Sequence, residues 1–112
     1  MKETDIQRQI IDYLTLCGHL VCRMPMGGVR HTLNGKTFYK KNPLKGFPDL
    51  FFFHADRSGT MICIEVKTEK GRQSAEQKQW QAQLKAYGIE CFVARSVDDV
   101  RQFLGGSTRE LF

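Results

Sequence analysis

The chain has 112 residues, and its 17 lysines and arginines against 12 acidic residues give a formal net charge of +5. This length fits one domain with a modest core, and 41% hydrophobic with 26% charged residues excludes a fibrous or disordered chain. No apolar run approaches the roughly 20 residues of a membrane-spanning helix, and the start lacks the apolar segment of a signal peptide. We therefore expect a soluble cytoplasmic protein with no membrane partner.

An amphipathic helix is the first predicted element, over residues 3–17. Its apolar stripe consists of Ile6, Ile10, Tyr13, Leu14 and Cys17. At 100° per residue, Glu3 lies within about 20° of the middle of that stripe, where a carboxylate needs a reason. Either Glu3 faces a functional site, or Thr4 and Gln7 form a capping box that leaves Glu3 outside the helix at its positive end.

A short strand over residues 20–24 leads into a basic region. Between residues 18 and 48 the chain has no Asp or Glu, and its cations there are Arg23, Arg30, Lys36, Lys40, Lys41 and Lys45. Within this region, Asn34-Gly35 between β-prone residues predicts a β-hairpin. A long stretch without acids indicates contact with nucleic-acid phosphates, which gives affinity without sequence information. Two roles remain open for Phe38 in the hairpin: stacking on an unpaired base, or packing against a second subunit.

Two apolar runs on either side of residues 54–59 predict a second, central β-hairpin. If its loop is centred on Arg57, the register places Asp49 opposite Glu65. Side chains alternate between the two faces of a strand, so Asp49, Glu65 and Lys67 share one face. The other face, which we expect in the core, consists of Leu50, Phe52, Ile62, Ile64 and Val66.

The facing carboxylates of Asp49 and Glu65 indicate a metal site. Directly opposed Cβ atoms lie roughly 4.5–5.5 Å apart, and like charges there are unfavourable unless something neutralises them. Carboxylate oxygens are ligands for Mg²⁺, and a metal held beside Lys67 can activate a water and stabilise charge on a phosphate. The alternative is that Asp49 only begins a strand after Pro48, while Glu65 and Lys67 form a surface ion pair.

The last third of the chain predicts a helix, a strand and a short helix. Ser74 and Gln77 form a capping box that opens the helix over residues 74–87. Its buried face is predicted to contain Gln77, Trp80, Leu84 and Tyr87. We expect Trp80 in the core, and Gln77 either lines the site or only closes the cap. The strand over residues 90–94 should run parallel to the strand over residues 61–67, and a short helix follows Ser96.

The four cysteines include no Cys-x-x-Cys pair, and each lies in an apolar segment. This pattern predicts buried, reduced thiols rather than zinc ligands or disulfides. They are Cys17, Cys22, Cys63 and Cys91.

Pro48-Asp49 followed by Glu65-Val66-Lys67 resembles the motif of the PD-(D/E)XK nuclease superfamily. The surrounding Gly-Phe-Pro-Asp-Leu and Ile-Glu-Val-Lys sequences resemble its virus-type replication-repair nuclease (VRR-NUC) branch. This resemblance implies an α/β, restriction-endonuclease-like fold with an αβββαβ core and a mixed sheet flanked by helices. We expect one nuclease domain over residues 1–104, with a basic hairpin inserted at 25–45 and a polar tail at 105–112.

The resemblance also implies roles for individual residues. It assigns catalytic roles to Glu3, Asp49, Glu65, Lys67 and Gln77. Asp49, Glu65 and the Val66 carbonyl would bind Mg²⁺, with Mn²⁺ as an alternative, and no nucleotide cofactor is expected. Lys67 would position or deprotonate the attacking water, Glu3 would hold a metal-bound water, and Gln77 would orient a water, a ligand or the DNA strand.

By resemblance, the function is that of a metal-dependent endonuclease that hydrolyses DNA phosphodiester bonds. Small members of this branch resemble Holliday-junction resolvases, which implies a homodimer that cuts branched DNA during repair in a bacterial or phage-infected cell. DNA contacts are expected from Arg23, Arg30, Lys36, Lys40, Lys41, Lys45, Lys70 and Arg72. The alternatives are a nicking or restriction-type endonuclease, a non-catalytic DNA-binding module, or a surface that binds another protein.

Overall fold

The structure, a computed structural model, describes residues 1–24, 29–40 and 44–105. In chain order its elements are α1 (Glu3–Leu16), β1 (Leu20–Arg23), β2 (Val29–Leu33), β3 (Lys36–Lys40), β4 (Leu50–His54), β5 (Thr60–Val66), α2 (Ala75–Ala86), β6 (Glu90–Ala94) and α3 (Val97–Phe103). Strands β1, β4, β5 and β6 form a mixed sheet in that order, and β2 pairs with β3 in a separate sheet. Within the described ranges, no helix is long and apolar enough to cross a membrane.

The central hairpin has the predicted register. Strands β4 and β5 are antiparallel, with Leu50 opposite Ile64 and Phe52 opposite Ile62, and a 3₁₀ turn at Ala55–Arg57 joins them. The predicted core face is fully buried, and its members are Leu50, Phe52, Ile62, Ile64 and Val66. They pack with the buried stripe of α1 and with Val100 of α3, so this face of the sheet holds the hydrophobic core.

Helix α1 begins earlier than the capping-box alternative requires. Its N-cap is Lys2, whose backbone N–H donates to Asp5 at 3.2 Å, so Glu3 is already the first helical residue. The capping box at Thr4 and Gln7 is therefore wrong. Glu3 stays within the helix, where its side chain is half-buried.

Helix α2 connects β5 to β6 as predicted, and these two strands are parallel, from Ile62 opposite Glu90 to Val66 opposite Ala94. The predicted burial of Tyr87 is wrong, because that side chain is 86% exposed. Tyr87 is the C-cap, with φ −91° and ψ 9°, so it lies beyond the last helical residue and leaves the buried stripe.

The basic hairpin turns where the sequence predicts. Asn34 and Gly35 both have positive φ, 51° and 75°, as a two-residue turn matched to the twist of the strands requires. Thr32 and Thr37 hydrogen-bond across the strands at 3.2 Å. The description does not extend to Lys41, to residues 106–112 of the predicted tail, or to the side chains of Arg30 and Lys40.

All four cysteines are free thiols, two buried and two half-buried. Burial raises the pKa of Cys63 to about 11 and that of Cys91 to about 12. Both thiols are therefore protonated at neutral pH and are poor nucleophiles and metal ligands.

A turn over residues 44–48 fixes α2 against the start of β4. Trp80 donates its indole N–H to the Lys45 carbonyl at 3.0 Å, and its ring meets Phe47 edge to face at 5.1 Å. Gly46 has φ +88°, and a Cβ there would lie 2.7 Å from the Glu76 Cβ. Trp80 is thus a packing residue for this turn, but it is only half-buried and lies outside the hydrophobic core, where we expected it. Gly46 allows the turn to approach the first turn of α2.

Gly46→Ala should destabilise the protein more than Gly59→Ala does. Both glycines have positive φ, but nothing lies within 4 Å of a Cβ at Gly59, whereas one at Gly46 would collide with α2. Backbone strain lowers the free energy of unfolding of both variants, and we expect the collision to lower that of Gly46→Ala by about 1–3 kcal/mol more. Urea unfolding followed by circular dichroism measures both variants, and equal losses would contradict close packing at Gly46.

Candidate active site

The register of β4 and β5 brings the two predicted carboxylates together. Since Leu50 pairs with Ile64, the next position places Asp49 beside Glu65. Asp49 accepts a hydrogen bond from the Val66 backbone N–H at 2.9 Å, which holds its carboxylate against β5. Glu65 is 1% exposed, whereas Asp49 is half-buried. The pair therefore lies at the edge of the interior, with one member open toward solvent.

Gln77 connects α2 to this pair. Its Nε2 donates to Glu65 Oε2 at 2.8 Å, while its Oε1 accepts from the Ser74 backbone N–H at 2.8 Å. The Ser74 hydroxyl in turn accepts from the Gln77 backbone N–H at 3.1 Å. One side-chain amide therefore closes the cap and also contacts Glu65, so Gln77 does more than close the cap.

Electrostatics show that Glu3 and Lys67 act on Glu65 as well. Burial, together with the charge and hydrogen bond of Asp49, raises the pKa of Glu65 to about 8. The ammonium of Lys67 lowers this pKa, and the carboxylate of Glu3 raises it slightly. Lys67 is only 9% exposed, and its backbone N–H donates to Ala94 at 3.0 Å. The structure thus brings Glu3, Asp49, Glu65, Lys67 and Gln77 to one end of the sheet.

The donor set of this pair fits a hard divalent cation. The raised pKa of Glu65 keeps a proton on its carboxyl group at neutral pH beside Asp49, and a divalent cation would neutralise the negative charge there in its place. Asp49 and Glu65 supply oxygen donors, and Val66 lies between Glu65 and Lys67 on the same strand. A metal ion held here would therefore replace the proton of Glu65.

A second group of metal-type side chains lies at the opposite end of β4. Ligand atoms of His19, His54 and Asp56 fall within 4.8 Å of one another. However, His19 Nδ1 accepts from the Ala55 N–H at 3.0 Å, and His54 Nδ1 accepts from the Asp56 N–H at 3.2 Å. A neutral imidazole that accepts at Nδ1 carries its proton on Nε2 and has no lone pair left for a metal. These histidines fit the role of holding the turn after β4.

Several predicted DNA-binding cations are exposed around the carboxylate end of the sheet. Arg23 lies opposite Leu50, beside Asp49, and Lys45 precedes β4, where its ammonium lies 3.9 Å from Glu76. Lys70 and Arg72 follow Lys67, and both side chains are exposed. Lys36, at the tip of the basic hairpin, is exposed too.

Arg95 belongs to this end of the sheet but is absent from the sequence prediction. Its Nη1 lies 2.6 Å from the Gly71 carbonyl oxygen and 2.7 Å from that of Thr68, in the loop directly after Lys67. The available signal was the predicted parallel pairing, which places the residue after β6 beside the residue after β5. Sequence alone did not show where such a long side chain would reach.

The mixed sheet with helices on its faces and carboxylates at one end is the fold of restriction-endonuclease-like nucleases. The VRR-NUC domain family matches residues 2–98, so the chain belongs to that family of nuclease domains. A solved structure described as a VRR_NUC domain has the same fold, with a TM-score of 0.67 at 20% identity over 92% of this chain and 94% of that chain. No curated protein sequence matches the chain. The resemblance and the fold class predicted from the sequence are thus confirmed.

The stability of the metal-free protein should fall as pH rises from about 4.5 to about 8. Folding raises the pKa of Glu65, so the folded protein keeps a proton that the unfolded chain releases. The contribution of this proton to the free energy of unfolding is complete below pH 4.5 and is lost as pH rises through the pKa of Glu65 in the folded protein. Between these values the free energy of unfolding should fall by on the order of 1 kcal/mol per pH unit.

Urea unfolding in EDTA across this range measures the slope. Glu65→Gln should flatten the profile, whereas the control Glu69→Gln, at an exposed acid on the loop after Lys67, should keep it. A wild-type profile already flat between pH 5 and 8 would contradict a protonated Glu65.

Proposed function

We propose that the protein is a Mg²⁺-dependent DNA endonuclease that cuts branched DNA as a homodimer. The observation that supports this most strongly is the pairing of the buried Glu65 with the half-buried Asp49, with Lys67 directly after the end of β5. Family membership supports a nuclease with a DNA substrate. We add three points to what family membership supports: the use of a divalent metal, a branched DNA substrate and a homodimer.

Asp49, Glu65 and the Val66 carbonyl would hold the metal, and Mn²⁺ could take the place of Mg²⁺. When bound, such an ion would polarise the phosphate and make its bound water more acidic. Gln77 donates a hydrogen bond to Glu65 Oε2, and this bond orients the carboxylate toward Asp49. One carboxylate of the metal site is thereby fixed before substrate arrives, which lowers the reorganisation needed during the reaction.

Lys67 would act at the reacting phosphate. Its ammonium orients the attacking water and offsets the negative charge that accumulates on the phosphoryl oxygens. Glu3 would accept a hydrogen bond from a water held at the metal site. The water oxygen would bond to phosphorus as the bond to the 3′ oxygen breaks. The water would lose a proton to solvent and the 3′ oxygen would take one up, which leaves a 5′-phosphate and a 3′-hydroxyl.

The exposed cations around this end of the sheet would bind the DNA backbone. At this end of the sheet they are Arg23, Lys45, Lys70 and Arg72, and the proposal extends to Lys36 at the tip of the inserted hairpin and to Arg30, Lys40 and Lys41. Phosphate contacts of this kind recognise shape rather than base sequence. The inserted hairpin presents Leu33 and Phe38, 62% and 49% exposed, to a second subunit or to unpaired bases at a branch point.

Lys67→Ala should lower the cleavage rate roughly 100-fold or more, because the charge and the water orientation are lost together. The assay uses matched labelled substrates, namely a four-way junction, a flap, a linear duplex and a single strand, with Mg²⁺, Mn²⁺ or EDTA. Lys85→Ala, at an exposed lysine in the last turn of α2, is the control and should cut like the wild type.

The pattern of cuts separates the candidate functions. Paired, metal-dependent cuts in the junction, with a dimer in sedimentation, support the proposal. Equal cutting of every substrate would indicate a general nuclease instead. DNA binding without cleavage in any metal would identify a non-catalytic binding module, and the double variant Asp49→Asn with Glu65→Gln would then behave like the wild type.

A further inference from the structure

The loop over residues 68–71 is held by a side chain from the neighbouring strand. Strands β5 and β6 are parallel and end together, with Val66 opposite Ala94. The Lys67 N–H donates to the Ala94 carbonyl at 3.0 Å, which continues the pairing by one residue. Arg95 therefore leaves the sheet beside Lys67.

One guanidinium nitrogen of Arg95 donates hydrogen bonds to three backbone carbonyl oxygens of this loop. Nη1 lies 2.7 Å from the Thr68 oxygen and 2.6 Å from the Gly71 oxygen, with that of Glu69 at 3.3 Å. Hydrogen bonds from a charged donor are about twice as strong as neutral ones. The Arg95 backbone is itself anchored, since its N–H donates to Asp99 Oδ2 at 2.8 Å in the first turn of α3.

The loop in turn lies against the stem of Lys67. A Cβ at Gly71 would be 3.4 Å from Lys67 Cδ and 3.1 Å from Thr68 Oγ1, so the Gly71 backbone is close to the lysine side chain. The Gly71 N–H also donates to the Thr68 carbonyl at 3.1 Å, which closes the loop. A free lysine side chain samples many rotamers, and backbone atoms packed against its methylene groups reduce their number.

We propose that Arg95 is a positioning residue for Lys67, which it fixes through the loop of residues 68–71. This inference rests on the proposed function, because it assumes that Lys67 acts at the phosphate. Arg95 does not itself touch the reacting atoms. Its guanidinium holds Thr68 and Gly71, the loop backbone confines the Lys67 stem, and the ammonium is thereby held at the carboxylate pair.

A double-mutant cycle tests this coupling. In single-turnover cleavage with enzyme and metal in excess over DNA, Arg95→Ala should lower the rate constant roughly 10- to 100-fold, as small misplacements of catalytic groups do. In the Lys67→Ala background the same substitution should change the residual rate by less than about twofold. Arg57→Ala, which removes an equally short 2.7 Å contact with Glu90 far from Lys67, is the control and should leave the rate unchanged.

An equal loss from Arg95→Ala in both backgrounds would overturn the proposal, because Arg95 would then act independently of Lys67. A change confined to the enzyme concentration needed for half-maximal rate would also overturn it and would instead make Arg95 a DNA contact. Arg95→Lys should recover part of the rate, since an ammonium still donates to carbonyl groups but lacks the planar fork.

Amide hydrogen exchange gives a readout that does not depend on activity. Arg95→Ala should speed exchange at the Gly71 amide by about tenfold or more and leave the amides of β4 and β5 unchanged. Unchanged exchange at Gly71 would overturn the proposal whatever the cleavage data show. If the wild type cuts no DNA, the proposed function fails, and this measurement still decides whether Arg95 holds the loop.

Discussion

The pairing of β4 with β5 is the constraint on which the site depends. It places Asp49 beside Glu65, and a shift of one residue would turn every side chain of the strand to the other face and take the apolar residues out of the core. Burying two carboxyl groups together is unfavourable when both are charged. Burial and the neighbouring Asp49 together raise the pKa of Glu65. In the function that we propose, a divalent cation takes the place of this proton.

The remaining elements hold this unfavourable pair in place. Helix α2 contributes Gln77, whose amide both caps the helix and binds Glu65, so the start of the helix and the geometry of the site cannot change separately. The turn at Gly46 fixes that helix against the strand that follows Asp49. On the other side, Arg95 directly follows β6 and closes the loop after Lys67. Packing on both sides of the pair thus restricts its motion.

Much of this arrangement could be predicted from the sequence. Alternation and a short loop were enough for the register, and the Ser74–Gln77 spacing was enough for the start of α2. The burial of Tyr87 was mispredicted because a helical stripe was extended one residue past the point where the backbone leaves the helix. Arg95 was missed because its role depends on the reach of a side chain toward a loop 24 residues earlier in the chain. Substrate shape and oligomeric state depend on other molecules, and no pattern within one chain determines them.

Calorimetric titration of Mn²⁺ into the metal-free protein tests the central claim most directly. We predict one site per chain at the Asp49–Glu65 pair, with proton release at pH 7 that appears as a dependence of the heat on the buffer. Glu65→Gln should abolish binding, and His54→Gln should leave it unchanged. Binding that survives Glu65→Gln and disappears with His54→Gln would place the metal at the histidines and contradict the account.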